Sequence, residues 1–138
     1  MIKGLDELKY ALNKFSLDVN TVTDNAVRIT AFDVLNNATK AIKATSKGKT
    51  VPRGSKTHTQ SKKGDAPNTD TGRLIDSIAV LHDKGAMIAE VGTNVPYGAI
   101  LETTYNRPWL VPAKDKAMGN FEKNMSRAID VAIAKAAK

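Results

Sequence analysis

The side chains able to do chemistry are few, and their spacing limits what they can do. His58 and His82 are the only imidazoles and cysteine is absent, which excludes a disulfide framework and thiolate chemistry and leaves too few ligands for a zinc site. His58 stands in a polar stretch with no second ligand nearby, and His82 closes an apolar run in which a strand-end role accounts for it. Glu90 and Glu102 are carboxylates of the kind that form acid–base pairs, but one falls in a strand-like run and the other in a helical turn, and nothing in their spacing brings them together. Gly48 and Gly54 with their lysines lack the GxxxxGK[ST] spacing of a phosphate cradle, and no apolar strand precedes them. With no nucleophile and base, no metal cluster and no phosphate loop, the sequence predicts neither an enzyme nor a cofactor.

What the chain does carry is positive charge, unevenly placed. The net +7 comes from the stretch Val34 to Gly64, which has no acidic residue while Lys40, Lys43, Lys47, Lys49, Arg53, Lys56, Lys62 and Lys63 contribute eight cations. Such a field attracts nucleic acid, an acidic protein face or anionic lipid. No aromatic residues interleave with these cations and no helix-turn-helix or zinc-finger spacing accompanies them. Any nucleic-acid contact is therefore expected to be electrostatic and independent of base sequence.

The elements that must position these residues follow from periodicity. Leu5, Leu8, Leu12, Phe15, Val19, Val22, Ala26 and Ile29 form the stripe of a core-facing amphipathic helix, which then drifts to Ala31, Val34, Leu35, Ala38 and Ile42. Ser16, Asp18, Asn20 and Thr21 offer capping groups, so one bent helix or two successive ones are expected, with the break near residues 16–21. Residues 46–70, with three glycines, two prolines and almost no apolar side chain, read as a long basic loop, either a mobile solvated connection or an arm that orders on a partner. Ser77–His82 and Ala86–Gly92 read as a hairpin turned by Asp83-Lys84-Gly85, with Ile78, Val80 and His82 on one face and Met87, Ala89 and Val91 opposite them. Asn94–Glu102 reads as a loop entering a short helical turn, and Arg107–Pro112 as an extended stretch bounded by prolines. Ala113, Ala117, Phe121, Met125, Ala128, Ile129, Ala132, Ile133 and Ala136 complete the chain as a helix.

The expected fold class is α+β: a long or broken N-terminal helix, a long basic loop, a small antiparallel sheet and a C-terminal helix, in one domain over residues 1–138 with 46–70 as its flexible loop. Aromatics are only 5% of the residues, so alanine and aliphatic side chains fill the core, and a core this thin favours completion by a neighbouring subunit. The first residues lack the apolar core of a signal peptide, and no run approaches the roughly 18 apolar residues of a membrane span, so cytoplasmic synthesis is expected.

Three segments carry a recognisable pattern. They are Ala66-Pro67-Asn68-Thr69-Asp70-Thr71-Gly72-Arg73-Leu74-Ile75-Asp76-Ser77-Ile78, Val91-Gly92-Thr93-Asn94-Val95-Pro96-Tyr97-Gly98-Ala99-Ile100-Leu101-Glu102, and Arg107-Pro108-Trp109-Leu110-Val111-Pro112-Ala113. In this order, and flanked by helices, they resemble the neck or tail-completion family of lambda-like long-tailed bacteriophages, with its TGxLxxSI, VGTNVxYAxxxE and RPFLxPA stretches. Where the family commonly follows the glutamate with an aromatic residue, glycine and threonine, this chain has Thr103-Thr104-Tyr105-Asn106, so no contact of that turn is carried over.

The resemblance implies a structural virion protein at the head–tail junction, assembled in the host cytoplasm as one subunit of a homo-oligomeric ring. A portal-side connector or head-closure protein would lie on one face and a tail terminator or tail tube protein on the other, with no membrane partner. Tyr97, Glu102, Arg107 and Trp109 are candidate interface residues because aromatics and arginine dominate such contacts, with intrachain packing as the other reading. Lys47, Lys49, Arg53, Lys56, Lys62 and Lys63 are candidate contacts to packaged DNA or to an acidic partner. The alternative function is a small sequence-independent nucleic-acid-binding protein whose basic loop is its working surface.

Overall fold

A computed structural model describes residues 4–137 and gives an α+β fold. In chain order its elements are α1 (Leu5–Lys43), β1 (Thr50–Arg53), β2 (Lys56–Thr59), α2 (Arg73–Ser77), β3 (Ala79–Asp83), β4 (Ile88–Gly92), α3 (Pro96–Thr103) and α4 (Val111–Ala136). The strands make two separate antiparallel hairpins, β1–β2 and β3–β4.

α1 is a single helix of 39 residues, roughly 58 Å long at 1.5 Å per residue. Of the expected alternatives, one bent helix or two successive ones, the chain forms one continuous helix, with no break at residues 16–21. The Thr21 hydroxyl donates to the Leu17 carbonyl at 2.9 Å, so a group able to cap a new helix bonds back into the existing one. α4 starts beside the C-terminal half of α1, where the Asn37 amide donates to the Ala113 carbonyl at 3.4 Å, and runs antiparallel to it. Ala113, Ala117 and Ala132 are buried along α4, a seam of methyl groups that lets the two helices approach closely.

This geometry corrects the expected stripe. Counting back from Asn37, α4 ends about level with residue 14 of α1, so the first turns of α1 overrun it. Leu8 and Leu12 are accordingly 54% and 57% exposed, while the buried positions lie later, at Asp24, Ala26, Thr30, Ala31, Val34, Ala38 and Ile42. The core proper joins Val34, Ala38 and Ile42 of α1 to Leu74, Ile78, Trp109, Ala113 and Ala117.

The β3–β4 hairpin has the expected facing. Val80 pairs with Val91 and His82 with Ala89, all half-buried, while Met87 stands in the turn at φ 53. His82 Nε2 lies 2.8 Å from Asp24 Oδ1, so a carboxylate only 4% exposed is matched by the strand-end imidazole, which pins the hairpin to α1. Residues 107–110 lie outside any helix or strand, and the stretch expected to run to Pro112 stops short because α4 begins at Val111, with Pro112 in its first turn, where a missing N–H is no loss.

Residues 46–70 are likewise not a structureless loop, since 50–59 form the β1–β2 hairpin. Thr50-Val51 and Thr57-His58-Thr59 bring β-branched residues into register around a two-residue turn at Gly54-Ser55, with Gly54 at φ 63. Gln60 N–H donates to the Lys49 carbonyl at 2.9 Å, extending the ladder by one pair. That phase turns the position of Pro52 away from β2, so the absent proline N–H removes no ladder bond. At the foot of the ladder a Cβ on Gly48 would fall on the Gln60 carbonyl oxygen and 2.8 Å from the Ser61 backbone. Gly48→Ala should therefore force the hairpin base apart, lowering stability by about 1–3 kcal/mol. Urea unfolding, with amide exchange at Gln60 as the local readout, checks this.

Candidate assembly surface

The three segments singled out in the sequence converge around the start of α4. Its N-cap is Leu110, whose side chain cannot accept a hydrogen bond, and the cap is supplied from α3 instead. Glu102 Oε2 accepts the backbone N–H groups of Trp109 at 2.7 Å and Leu110 at 3.0 Å, and Oε1 accepts that of Val111 at 3.0 Å. The negative carboxylate thus satisfies three donors at the positive end of the helix dipole. Trp109 is 2% exposed, and its indole Nε1 donates to the Gly98 carbonyl at 2.9 Å. Ser77 and Thr93 join α2 to the end of β4 through their hydroxyls.

Arg107 reaches the other way. Its Nε donates to Ser61 Oγ and its Nη2 to the Ser61 carbonyl, both at 2.9 Å, and Ser61 is buried. Gly64 N–H donates to the Asn106 carbonyl at 2.7 Å, a second tie between the basic segment and the approach to α4. Asn68 closes the base of the hairpin: its amide nitrogen donates to the carbonyls of Ser46 (2.7 Å) and Thr59 (2.8 Å), and its oxygen accepts Ser46 N–H at 2.8 Å. The basic segment is consequently a mounted hairpin, with its foot held by neutral and charged hydrogen bonds.

Of the four candidate interface residues, then, Glu102, Arg107 and Trp109 are engaged within the chain, and Trp109 offers no surface at all. Tyr97 remains exposed, on the first turn of α3, where Pro96 starts the helix. Lys47, Lys49, Arg53, Lys56, Lys62 and Lys63 are all exposed. Arg53 pairs with Asp70 at 3.0 Å, and no other of the six makes an ion pair among the described residues. Before α2, Thr71 Oγ1 accepts Arg73 N–H at 3.4 Å, while Asp70 is turned to Arg53 and His58.

Between the basic hairpin, residues 67–77 and α3 lies an open cavity of 1330 Å³, whose lining includes Arg53, His58, Asp70, Arg73, Tyr97 and Arg107. It holds no nucleophile with a base, and Glu90, on the outer face of β4, is not joined to Glu102. Among the described residues no three His, Asp or Glu side chains are grouped to hold a metal, and no helix is long and apolar enough to cross a membrane.

The chain's accessible surface is 9703 Å², against about 7000 Å² for a compact monomer of this mass. The excess belongs to the overrunning turns of α1, the outer faces of the long helices and both hairpins. Leu17, Leu81, Ile88 and Ile133 are among the apolar side chains more than half exposed. The signal for this in the sequence was the shortage of aromatics; the residues that mount the basic hairpin, Ser46, Ser61 and Asn68, gave none, being ordinary loop types. No family model, curated protein or solved structure matches the chain.

Proposed function

We propose that the protein is a structural subunit of the head–tail junction of a tailed bacteriophage, joining tail to capsid as one copy in a ring. The observation that carries the assembly part of this reading is the surface excess of roughly 2,700 Å² over a compact monomer. A standard contact covers about 800 Å² on each partner, so two neighbours in a head-to-tail ring fit within it. The head–tail location rests on the three ordered segments at 66–78, 91–102 and 107–113 and on the helices that flank them. Their convergence on the start of α4 supports treating them as one unit.

In this setting the mounted basic hairpin reaches either DNA in the channel or an acidic face of the adjoining ring. Replacing Lys47, Lys49, Arg53, Lys56, Lys62 and Lys63 with glutamine should leave the fold intact, since these side chains are exposed, and should reduce head–tail joining at least tenfold. Light scattering after size exclusion, with and without purified capsids or tails and at two salt concentrations, reads both properties. Normal joining by that variant rejects the role of the hairpin, and a wild-type monomer that ignores both particles rejects the assignment.

The exposed cations also favour a second reading, a small sequence-independent nucleic-acid-binding protein. That reading expects the isolated monomer to bind DNA with an affinity falling by about 0.9 log unit per log unit of salt for each phosphate neutralised. The ring reading expects weak binding until copies assemble.

A further inference from the structure

The β3–β4 hairpin leaves two strand edges open in one chain. β3 and β4 pair only with each other, over five uninterrupted positions from Ala79–Gly92 to Asp83–Ile88. One face of the hairpin lies on α1. Among the described residues, no main-chain hydrogen bond links either outer edge to another segment. Soluble proteins blunt such edges with lysine, proline, a bulge or a covering element, because a bare edge templates further pairing. Neither strand contains lysine or proline and the register has no bulge; the polar groups the strands do carry are Asp83 and Glu90 on the outer face and His82, which is turned inward to Asp24. On the face away from α1, Leu81 and Ile88 are 68% and 55% exposed.

We infer that the β3 edge of one copy pairs antiparallel with the β4 edge of the next, so that the hairpins join into one continuous sheet. This rests on the ring assembly proposed above and names the surface that closes it. A second copy is the occupant that fits. The two open edges have the same length, five residues, and run in opposite directions, so copies related by rotation satisfy each other in an alternating antiparallel order. A different protein covering one edge would leave the other bare in every chain, whereas a closed ring of hairpins leaves none. Leu81 and Ile88 of adjacent copies then lie near one another on the outer face, which removes them from water.

The chain has no cysteine, so introduced thiols report pairing without background. Single variants Ala79→Cys and Leu81→Cys on β3, and Ile88→Cys and Glu90→Cys on β4, all occupy outer-face positions, so the monomer tolerates them. Mixed in β3 plus β4 pairs, assembled with capsids or tails and oxidised, at least one mixture should give disulfide-linked dimers that neither variant gives alone. The double variant Leu81→Lys/Ile88→Lys should remain a folded monomer by circular dichroism and lose the assembled species. Assembly of that variant at the wild-type level, with no mixture cross-linking, overturns edge pairing while leaving the ring in place. Dimers from a β3 variant alone overturn the head-to-tail order. A wild-type chain that never assembles overturns both the edge pairing and the ring.

Discussion

Trp109→Ala should unfold most of the molecule's stability reserve, lowering the free energy of unfolding by about 3–5 kcal/mol through lost packing alone. Trp109 is 2% exposed and belongs to the cluster that joins Val34, Ala38 and Ile42 of α1 to Leu74 and Ile78 and to Ala113 and Ala117 of α4. It is the single tryptophan of the chain and by far the largest side chain in that cluster, whose other members are aliphatic or alanine. Truncation opens a void whose small, helix-borne walls cannot collapse into it. It also strips the Gly98 carbonyl of its indole donor at 2.9 Å, and a buried acceptor left bare costs about 1–3 kcal/mol more.

Trp109→Phe separates the two effects. The phenyl ring keeps most of the apolar volume but has no N–H, so it should lose the hydrogen-bond part and a smaller share of the packing. Urea unfolding followed by circular dichroism measures both variants on the same footing as the wild type, since the substitution removes the sole tryptophan fluorophore. Equal losses for alanine and phenylalanine would show that the hydrogen bond to Gly98, and not the filled volume, holds the core.

The architecture was legible where local physics decides it. Three- and four-residue spacing gives both long helices, and turn chemistry at Asp83-Lys84-Gly85 gives the β3–β4 hairpin with Val80 opposite Val91. The misreadings share a cause. The hairpin at 50–59 was hidden because strand recognition relies on apolar alternation, while here the residues are threonine, lysine and histidine and the ladder is held by Asn68, Ser46 and Arg107 from elsewhere. The continuity of α1 was hidden because Thr21 is a capping type whose hydroxyl bonds back to Leu17. The exposure of Leu8 and Leu12 depends on where α4 ends, which no residue of α1 encodes. Among the candidate site residues, side-chain type marked Glu102, Arg107 and Trp109 as consequential but did not distinguish contacts within the chain from contacts between copies. Aromatic and guanidinium groups serve both in the same way.

Glu102 is the second position where a large effect is expected, and it acts through a helix it does not belong to. Four N–H groups at a helix start lack intrahelical partners; at α4 Pro112 removes one of them by having no N–H, but Leu110 at the cap has no side-chain acceptor for the others. The Glu102 carboxylate meets the donors of Trp109, Leu110 and Val111 together, and its charge faces the positive end of the helix. Glu102→Ala should destabilise by about 2–4 kcal/mol, more than an ordinary cap, because three donors are stranded and a charged acceptor is lost. Glu102→Gln keeps the shape and one oxygen but turns an NH2 toward the donors, so it should lose roughly half as much. Hydrogen exchange tests the mechanism directly. Amides of Trp109, Leu110 and Val111 should exchange faster in both variants, well before those in the middle of α4. Uniform acceleration along α4 would instead assign Glu102 to packing of the whole helix. Because the same backbone carries Trp109 into the core and Arg107 toward Ser61, loosening this start should also free the basic hairpin, coupling the stability of α4 to the surface proposed to meet DNA or the neighbouring ring.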